Sequence, residues 1–321
     1  MYYKDIGLVN TRIMYEKAYE GGYAIPAFNF VCLEQLQAIV QACMETKSPM
    51  IVQASANVVA DIGKHMVIRM VQACIELLEE NSVDIPIALN LDHGLTFEDC
   101  VMGIENGFSS VMIDGSALPY EENIALTKKV VDFAHRYDVC VEGELGTLSG
   151  IEEGVSHAES VFTDPHMAQD FVKRTGVDSL AISIGTSHGL VKIAPNPDGS
   201  IPELRYDVLE EVMRLLPGFP IVLHGASEIP KRFVDMINEH GGDIRVAQGI
   251  PAAQVKKAAG MGVCKVNVAS DGWIAMVATT RKVLDDNKGI IDPRKFLKAS
   301  RKAMTEMYIY KIDEVLGSSQ R

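Results

Sequence analysis

Eight short apolar segments alternate with amphipathic helical stretches along the whole chain, and this alternation restricts the fold more than any other feature. Short, continuous apolar segments that end at polar or glycine residues are typical of strands buried on both faces of a parallel sheet. The predicted strands occupy residues 24–28, 50–54, 86–91, 110–113, 139–144, 180–184, 220–223 and 263–268. Helical patterns lie between them, for example at residues 33–46, 65–80, 121–137 and 251–260.

An eightfold strand–helix repeat in a chain of 321 residues predicts an α/β fold, specifically a (β/α)8 TIM barrel. A doubly wound open sheet is the main alternative that the same pattern allows. Because no low-complexity linker or break in composition divides the chain, we expect one barrel domain over residues 1–321. A C-terminal helical extension, at about residues 293–321, is expected to pack outside the barrel.

The composition argues against several classes of function. The chain has 43 acidic and 30 basic residues and a formal charge of −13, so it is a poor partner for nucleic acid or an anionic membrane. Its six cysteines are scattered, without a Cys-x-x-Cys pair, as is typical of buried thiols in a reducing compartment. Since no signal peptide or membrane-spanning run is recognisable, we expect a cytoplasmic protein.

The ends of the predicted strands are polar, whereas their interiors are almost wholly apolar. In TIM barrels the catalytic groups lie just past the carboxyl ends of the strands. In chain order these ends carry Asn29, Ser55, Asp92 and His93, Asp114 to Ser116, Glu142 and Glu144, Ser187 and His188, His224 and Gly225, and Asn267 with Ser270. This asymmetry predicts an active site at that end of the barrel.

Three of these strand ends carry a histidine next to a glycine, namely His93, His188 and His224. Three neutral imidazoles from separate strands can bind Zn²⁺ and leave its fourth position open, as catalytic zinc sites require. Cobalt or another divalent metal would suit the same donors. The pattern therefore predicts metal-assisted chemistry.

Two carboxylates are candidates for proton transfer. Asp92 precedes His93 on the strand, so it should point the other way or sit at the rim. There it would either orient an imidazole or act as a general acid/base beside the metal, and we favour the second role. Glu152 and its neighbour Glu153 lie on a long glycine-bearing connection, residues 146–164, that is placed as a lid over the site.

The loops after the last two strands contain glycine and serine in a pattern that suits a phosphate group. Barrel enzymes often hold phosphate at this place on backbone N–H groups and hydroxyls. The candidates are His224-Gly225-Ala226-Ser227, Asn267-Val268-Ala269-Ser270, and Gly189 with Lys192 from the preceding loop.

Together, these motifs resemble the class II, zinc-dependent ketose-bisphosphate aldolases, which include fructose-bisphosphate and tagatose-bisphosphate aldolases. The resemblance covers nearly the whole chain and implies a TIM barrel, a homodimer or homotetramer, and a lyase of carbohydrate metabolism such as glycolysis. The implied reaction is reversible retro-aldol cleavage of a ketose phosphate to dihydroxyacetone phosphate and an aldehyde. The motifs that carry it include residues 22–29, 91–94, 110–116, 141–146, 185–189 and 222–227.

The resemblance also implies roles for individual residues. Glu144 matches a glutamate that offers an alternative zinc position, and Asp92 matches the residue that moves the proton of the C4 hydroxyl. Glu152 matches the lid carboxylate that exchanges the proton at C3, and Asn267 matches the amide that supports the enediolate. The implied zinc ligands are His93, His188 and His224. A monovalent cation is an optional second ion.

For the substrate, the resemblance implies a cradle for the phosphate of dihydroxyacetone phosphate. Lys192 lies close to a family lysine, and Ser55 matches a serine at the second strand end. The residues that match the cradle are Gly189, Gly225, Ser227 and Ser270.

The aldehyde half of the site departs from the family pattern. Ala269 stands where fructose-bisphosphate members usually carry Asp or Asn, and Trp273 stands where the long members carry an arginine for the C6 phosphate. Ala117 and Asn90 each replace a common histidine. One reading is therefore an aldolase for a ketose 1-phosphate that lacks the C6 phosphate. Alternatively, Arg281 or a neighbouring subunit supplies the missing cation.

Three other interpretations of the sequence remain open. A Schiff-base aldolase would need a lysine inside the barrel, for which Lys265 is the candidate, but this leaves three histidines unexplained. A barrel metallohydrolase would usually show His-x-His on the first strand, which here ends in Phe28-Asn29-Phe30. A non-catalytic barrel that serves as a partner subunit or scaffold would have lost the metal or proton-transfer residues, which this chain retains.

Overall fold

A computed structural model describes residues 2–148, 150–152, 155–157 and 161–321, without the side chains of 150–152 and 155–157. Within these residues, eight parallel strands close into a barrel, with each strand next to its neighbours in chain order and the first paired to the last. The barrel strands are β1 (Ile25–Asn29), β2 (Met50–Ser55), β3 (Ile87–Gly94), β4 (Ser110–Ile113), β5 (Cys140–Leu145), β8 (Ser179–Ile182), β9 (Ile221–Leu223) and β10 (Val263–Val268). The TIM-barrel prediction is confirmed, and the open-sheet alternative is wrong.

Helices cover the outside of the barrel and connect its strands. They are α1 (Thr11–Gly21), α2 (Leu33–Thr46), α3 (Ala56–Ile62), α4 (Lys64–Glu80), α5 (Phe97–Glu105), α6 (Tyr120–Ala134), α7 (Pro165–Thr175), α8 (Tyr206–Leu215), α9 (Lys231–Glu239), α10 (Ala252–Gly260), α11 (Ser270–Asp286) and α12 (Pro293–Tyr310). Short 3₁₀ turns lie at Tyr3–Ile6 and His135–Tyr137, and a π-helix lies at Lys311–Leu316. In the described part of the chain, no helix is long and apolar enough to cross a membrane.

Alternating residues of the strands fill two different parts of the core. On β1, Ile25 and Ala27 belong to a small cluster inside the barrel, together with Met14 and Tyr15 of α1. Phe28, by contrast, faces the larger cluster between the sheet and the helices. Helix α1 therefore closes the amino-terminal end of the barrel and leaves the opposite, carboxyl end open for a site.

The C-terminal helices pack on the outside of the barrel. Met304 and Met307 of α12 are buried against the helical layer, and the π-helix returns to the barrel, where the Ala24 N–H donates to the Leu316 carbonyl at 3.0 Å. The extent of a single domain over residues 1–321 stays a prediction.

The long connection after β5 forms a two-stranded antiparallel hairpin. Its strands are β6 (Gly150–Glu152) and β7 (Val155–His157). The base of the hairpin is attached to the barrel, because Thr163 donates its hydroxyl to the Leu145 carbonyl at 2.5 Å and its N–H to the Ser183 carbonyl at 3.1 Å. The backbone thus places Glu152 at the end of β6, on a segment anchored beside β5 and β8.

Candidate active site

A cavity of about 690 Å³, counted with its open mouth, lies at the carboxyl ends of the strands. It unites polar residues from strand ends that are far apart in the sequence. The lining residues are Asn29, Asp92, His93, His188, Gly189, Lys192, His224, Gly225, Ser227, Asn267, Ala269, Ser270 and Trp273. Most of the residues predicted for the site therefore meet in one place.

The three histidines converge in this cavity. His93 lies near the end of β3, His188 lies in the loop after β8, and His224 directly follows β9. The ring of His93 is 5.3 Å from that of His188 and 4.8 Å from that of His224, measured between centroids. Three imidazoles from separate strands thus share one small volume, as the sequence predicts.

An irregular end of β3 lets two consecutive residues face the cavity. The pairing of β3 with β4 shifts register between Leu91 and Gly94, and His93 adopts a left-handed backbone with φ of +46°. In a regular strand, neighbours such as Asp92 and His93 would point to opposite faces. Of the two placements expected for Asp92, the one in which it points away from His93 is wrong, because both side chains line the cavity.

Carboxylates behind the cavity wall orient two of the imidazoles. Asp114 lies 3.0 Å from Nδ1 of His93, and Oε1 of Glu142 lies 2.8 Å from Nε2 of His224. Each histidine keeps its other ring nitrogen for a ligand in the cavity. This is the arrangement by which proteins fix the tautomer and the direction of a metal-binding histidine.

Lys265 supports this arrangement from the barrel interior. Its Nζ donates to Oε2 of Glu142 at 2.7 Å, and the lysine is completely buried. Burial raises the pKa of Glu142, but Lys265 and His224 outweigh burial and lower it to about 2. Because Lys265 is held in this ion pair and does not line the described cavity, the structure gives no support to a Schiff-base lysine here.

The histidine cluster contains buried polar atoms suited to a cation. Within the described residues, Oε2 of Glu144 and Nδ1 of His224 make no hydrogen bond, although they lie 3.3 Å apart. Burial lowers the pKa of His224, but Glu142 and Glu144 outweigh it and raise the pKa to about 9. Potential ligand atoms of Asp92, His93 and His224 lie within 4.8 Å of one another. Imidazole nitrogens and carboxylate oxygens at this spacing fit Zn²⁺.

Asp92 is held by a chain of side-chain amides. It accepts hydrogen bonds from Nδ2 of Asn29 at 2.7 Å and from Nδ2 of Asn267 at 3.0 Å. Gln53 in turn donates to Asn29 at 2.8 Å and accepts from Asn90 at 3.2 Å. Gln53 is not among the predicted site residues, although a glutamine inside an otherwise apolar strand is a signal for such a network.

The candidate phosphate residues also line the cavity. Gly189 and Gly225 have positive φ values of +83° and +63°, and a Cβ on Gly225 would lie 2.6 Å from the Ser187 carbonyl oxygen. Ser227 and Ser270 contribute hydroxyls. Only glycine allows so close a backbone approach, and it leaves N–H groups accessible to an anion.

The remaining predicted residues differ in whether they line the cavity. Ser55 is buried and does not line the described cavity, because its hydroxyl accepts the Val58 N–H and caps α3. Arg281 also lies outside the cavity lining and donates to the His240 carbonyl at 3.4 Å, so it does not replace the missing arginine within the described chain. Ala269 and Trp273 do line the cavity. The Glu152 side chain lies outside the described residues, as does the neighbouring Glu153.

Comparisons with known proteins agree with this geometry. A family profile described as "Fructose-bisphosphate aldolase class-II" matches residues 9–321. A fructose-bisphosphate aldolase of Treponema pallidum is 52% identical over 99% of both chains, and one of Giardia intestinalis is 43% identical over 97% of this chain and 94% of the relative. The crystal structure of the YdjI aldolase of Escherichia coli K12 is similar with a TM-score of 0.73 and 28% identity, over 98% of both chains.

Proposed function

The chain belongs to the class-II fructose-bisphosphate aldolase family, and on this premise we propose that it cleaves fructose 1,6-bisphosphate reversibly to dihydroxyacetone phosphate and an aldehyde. The convergence of His93, His188 and His224 beside Asp92 carries the proposal. We also infer a cytoplasmic homo-oligomer, in keeping with the family.

The three histidines would hold the zinc ion on which the family generally depends. When bound, zinc supplies a Lewis acid that polarises the ketose carbonyl and stabilises negative charge in the enediolate. Glu144 is buried, with Oε2 3.9 Å from Nδ1 of His93 and 3.3 Å from Nδ1 of His224, and it offers the alternative metal position. Asp114 and Glu142 keep the imidazoles oriented.

Asp92 is the base that removes the proton from the C4 hydroxyl and so starts cleavage of the C3–C4 bond. The two amides that donate to it fix the orientation of both carboxylate oxygens. Such fixation favours a productive approach to the substrate. Oδ1 of Asn267 is buried without a hydrogen-bond partner among the described residues, so this amide can also accept from a substrate hydroxyl.

Glu152 completes the reaction by delivering a proton to C3 of the enediolate. Its place on the β6–β7 hairpin supports this role, because the hairpin base is tied to two barrel strands. Closure of such a segment over a site excludes water during the life of a reactive intermediate.

The C1 phosphate binds to the loops after β8, β9 and β10. Backbone N–H groups near Gly189 and Gly225 and the hydroxyls of Ser227 and Ser270 supply hydrogen bonds, and Lys192 supplies a positive charge. This local site accounts for anion binding by a chain whose net charge is −13.

The lining of the cavity on the expected aldehyde side differs from the family pattern. Among the described lining residues, Lys192 is the only lysine and there is no arginine, while Ala269 and Trp273 occupy the expected aldehyde side. This favours, as a second candidate, a ketose 1-phosphate that lacks the C6 phosphate. Alternatively, a neighbouring subunit contributes the cation.

The test is release of dihydroxyacetone phosphate from fructose 1,6-bisphosphate, tagatose 1,6-bisphosphate and fructose 1-phosphate, each with and without a chelator. We expect chelator-sensitive release, fastest from fructose 1,6-bisphosphate. Preference for fructose 1-phosphate would support the second candidate. An absence of release from all three by the zinc-loaded protein would contradict the proposed function and favour a non-catalytic barrel.

A further inference from the structure

A buried carboxylate connects two of the loops that form the phosphate cradle. Asp271, the second residue of α11, has no exposed surface. It accepts the N–H of Glu228 at 3.1 Å and the N–H of Ile229 at 2.7 Å. Because Ser270 precedes Asp271 and Ser227 precedes Glu228, this carboxylate fixes the two cradle hydroxyls relative to each other.

The backbone at this connection is strained. Ile229 has a φ of +51°, in the left-handed region that β-branched residues rarely adopt. A strained conformation of this kind persists only where surrounding contacts impose it. The short hydrogen bond to Asp271 is such a contact, so the shape of the loop after Ser227 depends on this carboxylate.

Lys311 balances the buried charge. Its Nζ lies 2.9 Å from Oδ2 of Asp271 and 2.9 Å from Oε2 of Glu228, and only 2% of the residue is exposed. Burial lowers the pKa of Lys311, but Asp271 and Glu228 outweigh burial and raise it, so the ammonium group stays charged. Lys311 begins the C-terminal π-helix, a rare conformation that often marks functional positions.

A third segment joins the Lys192 loop to the same unit. The N–H of Lys192 donates to the Gln248 carbonyl at 2.6 Å, and the N–H of Ile250 donates to the Ser227 carbonyl at 3.1 Å. Between them, a Cβ on Gly249 would lie 1.8 Å from the Glu228 carbonyl oxygen, so no larger residue fits there without movement. All three cradle loops are thus bound into one piece.

We propose that Asp271, balanced by Lys311, is a positioning residue that presets the spacing of Ser227 and Ser270 for the substrate phosphate. Neither Asp271 nor Lys311 is among the described residues that line the cavity, so both act through the loops. The inference rests on the proposed function in one respect, that a phosphate binds in this cradle.

The experiment measures binding of inorganic phosphate to the zinc-loaded protein by calorimetry, which needs no turnover. Fluorescence of Trp273, the single tryptophan and a lining residue, gives a second signal. We expect Asp271→Asn and Lys311→Met to raise the Kd for phosphate about tenfold, because each removes a charged contact that holds the Ser227 and Ser270 loops at their spacing. Lys311→Arg keeps the charge and should restore most of the affinity.

Enzyme kinetics separate positioning from general damage. In Asp271→Asn, KM for the cleaved ketose should rise at least fivefold while kcat changes less than twofold, since the histidines and Asp92 are untouched. Lys231→Met, which removes an exposed ion pair with Asp235, is the matched control and should leave both the phosphate Kd and KM unchanged.

The proposal is overturned if Asp271→Asn or Lys311→Met is folded and binds phosphate with wild-type affinity. If Asp271→Asn does not fold, phosphate binding by Lys311→Met and Lys311→Arg tests the proposal without it. A wild-type protein that binds phosphate but cleaves no ketose would refute the proposed function and leave this inference standing. A wild-type protein that binds no phosphate would refute the cradle and this inference together.

Discussion

Lys265 illustrates how one buried side chain can influence the proposed metal site without contacting it. A lysine in an apolar barrel interior is costly unless it is paired, and Glu142 pairs with it at 2.7 Å. The same carboxylate contacts His224, so the lysine keeps an ionised acceptor behind that imidazole. The ion pair therefore serves the proposed zinc site more directly than it serves stability.

We predict that Lys265→Met weakens zinc binding about 10-fold, because Glu142, the outer partner of the proposed ligand His224, loses the cation that holds it in place. The measurement is competition for zinc with a chromophoric chelator. Lys282→Met, which removes an exposed ion pair on α11, should not change the zinc affinity. Unchanged zinc affinity in folded Lys265→Met would contradict the assigned role.

Gln53 has a comparable effect on Asp92, the proposed catalytic base. Its amide fixes Asn29, which donates to Asp92. We predict that Gln53→Leu lowers kcat about tenfold, because a misplaced Asn29 loosens the base, and leaves zinc binding intact. Steady-state kinetics with measured zinc content checks this. The matched control is Gln41→Leu on the exposed surface of α2, which should keep the wild-type kcat. A wild-type kcat in Gln53→Leu would show that the amide of Gln53 does not act on Asp92 through Asn29.

Among the secondary-structure elements, the ends of the strands determine which side chains form the candidate site. The register shift at the end of β3 brings Asp92 and His93 to the same side. The loop after β9 makes its turn at Gly225, against the backbone of Ser187 in the neighbouring loop. The helical layer stabilises the barrel, while these few distorted positions form the site.

We predict that Gly225→Ala lowers the free energy of unfolding by more than about 1–2 kcal/mol, which is the cost of an alanine in the left-handed conformation. We also expect KM to rise, because the cradle widens. The reason is the 2.6 Å approach of the new Cβ to the Ser187 carbonyl oxygen. Denaturant unfolding and steady-state kinetics measure the two effects. Gly199→Ala has a similar φ of +82° and no atom within 4 Å of its Cβ, so it should show the conformational cost without the change in KM. An equal loss of stability and an equal KM in the two variants would contradict the steric explanation.

For the whole molecule, the sequence predicted the architecture closely. The predicted strands 110–113 and 263–268 coincide with β4 and β10, because short, mainly apolar segments that follow a glycine or turn have a clear local signature. The strand-end rule also located most of the cavity lining. Family membership is confirmed by the comparisons.

What the sequence could not predict depends on contacts between distant residues. Asp271 and Lys311 are 40 positions apart in the numbering, and no local pattern pairs them. The orientation of Asp92 required the backbone distortion at His93, and the Ser55 hydroxyl was engaged by a helix cap. Local periodicity specifies which segments become strands, whereas tertiary packing decides where each polar side chain is held.

In the proposed mechanism, zinc held by His93, His188 and His224 enables the aldol cleavage. Its most direct test is a titration of the metal-free protein with zinc while cleavage of fructose 1,6-bisphosphate is followed. We predict no activity without metal, a linear rise, and saturation at about one zinc per chain, the stoichiometry of a single catalytic site. Full activity in the metal-free protein, together with inactivation by borohydride in the presence of substrate, would contradict the account and indicate a Schiff base instead.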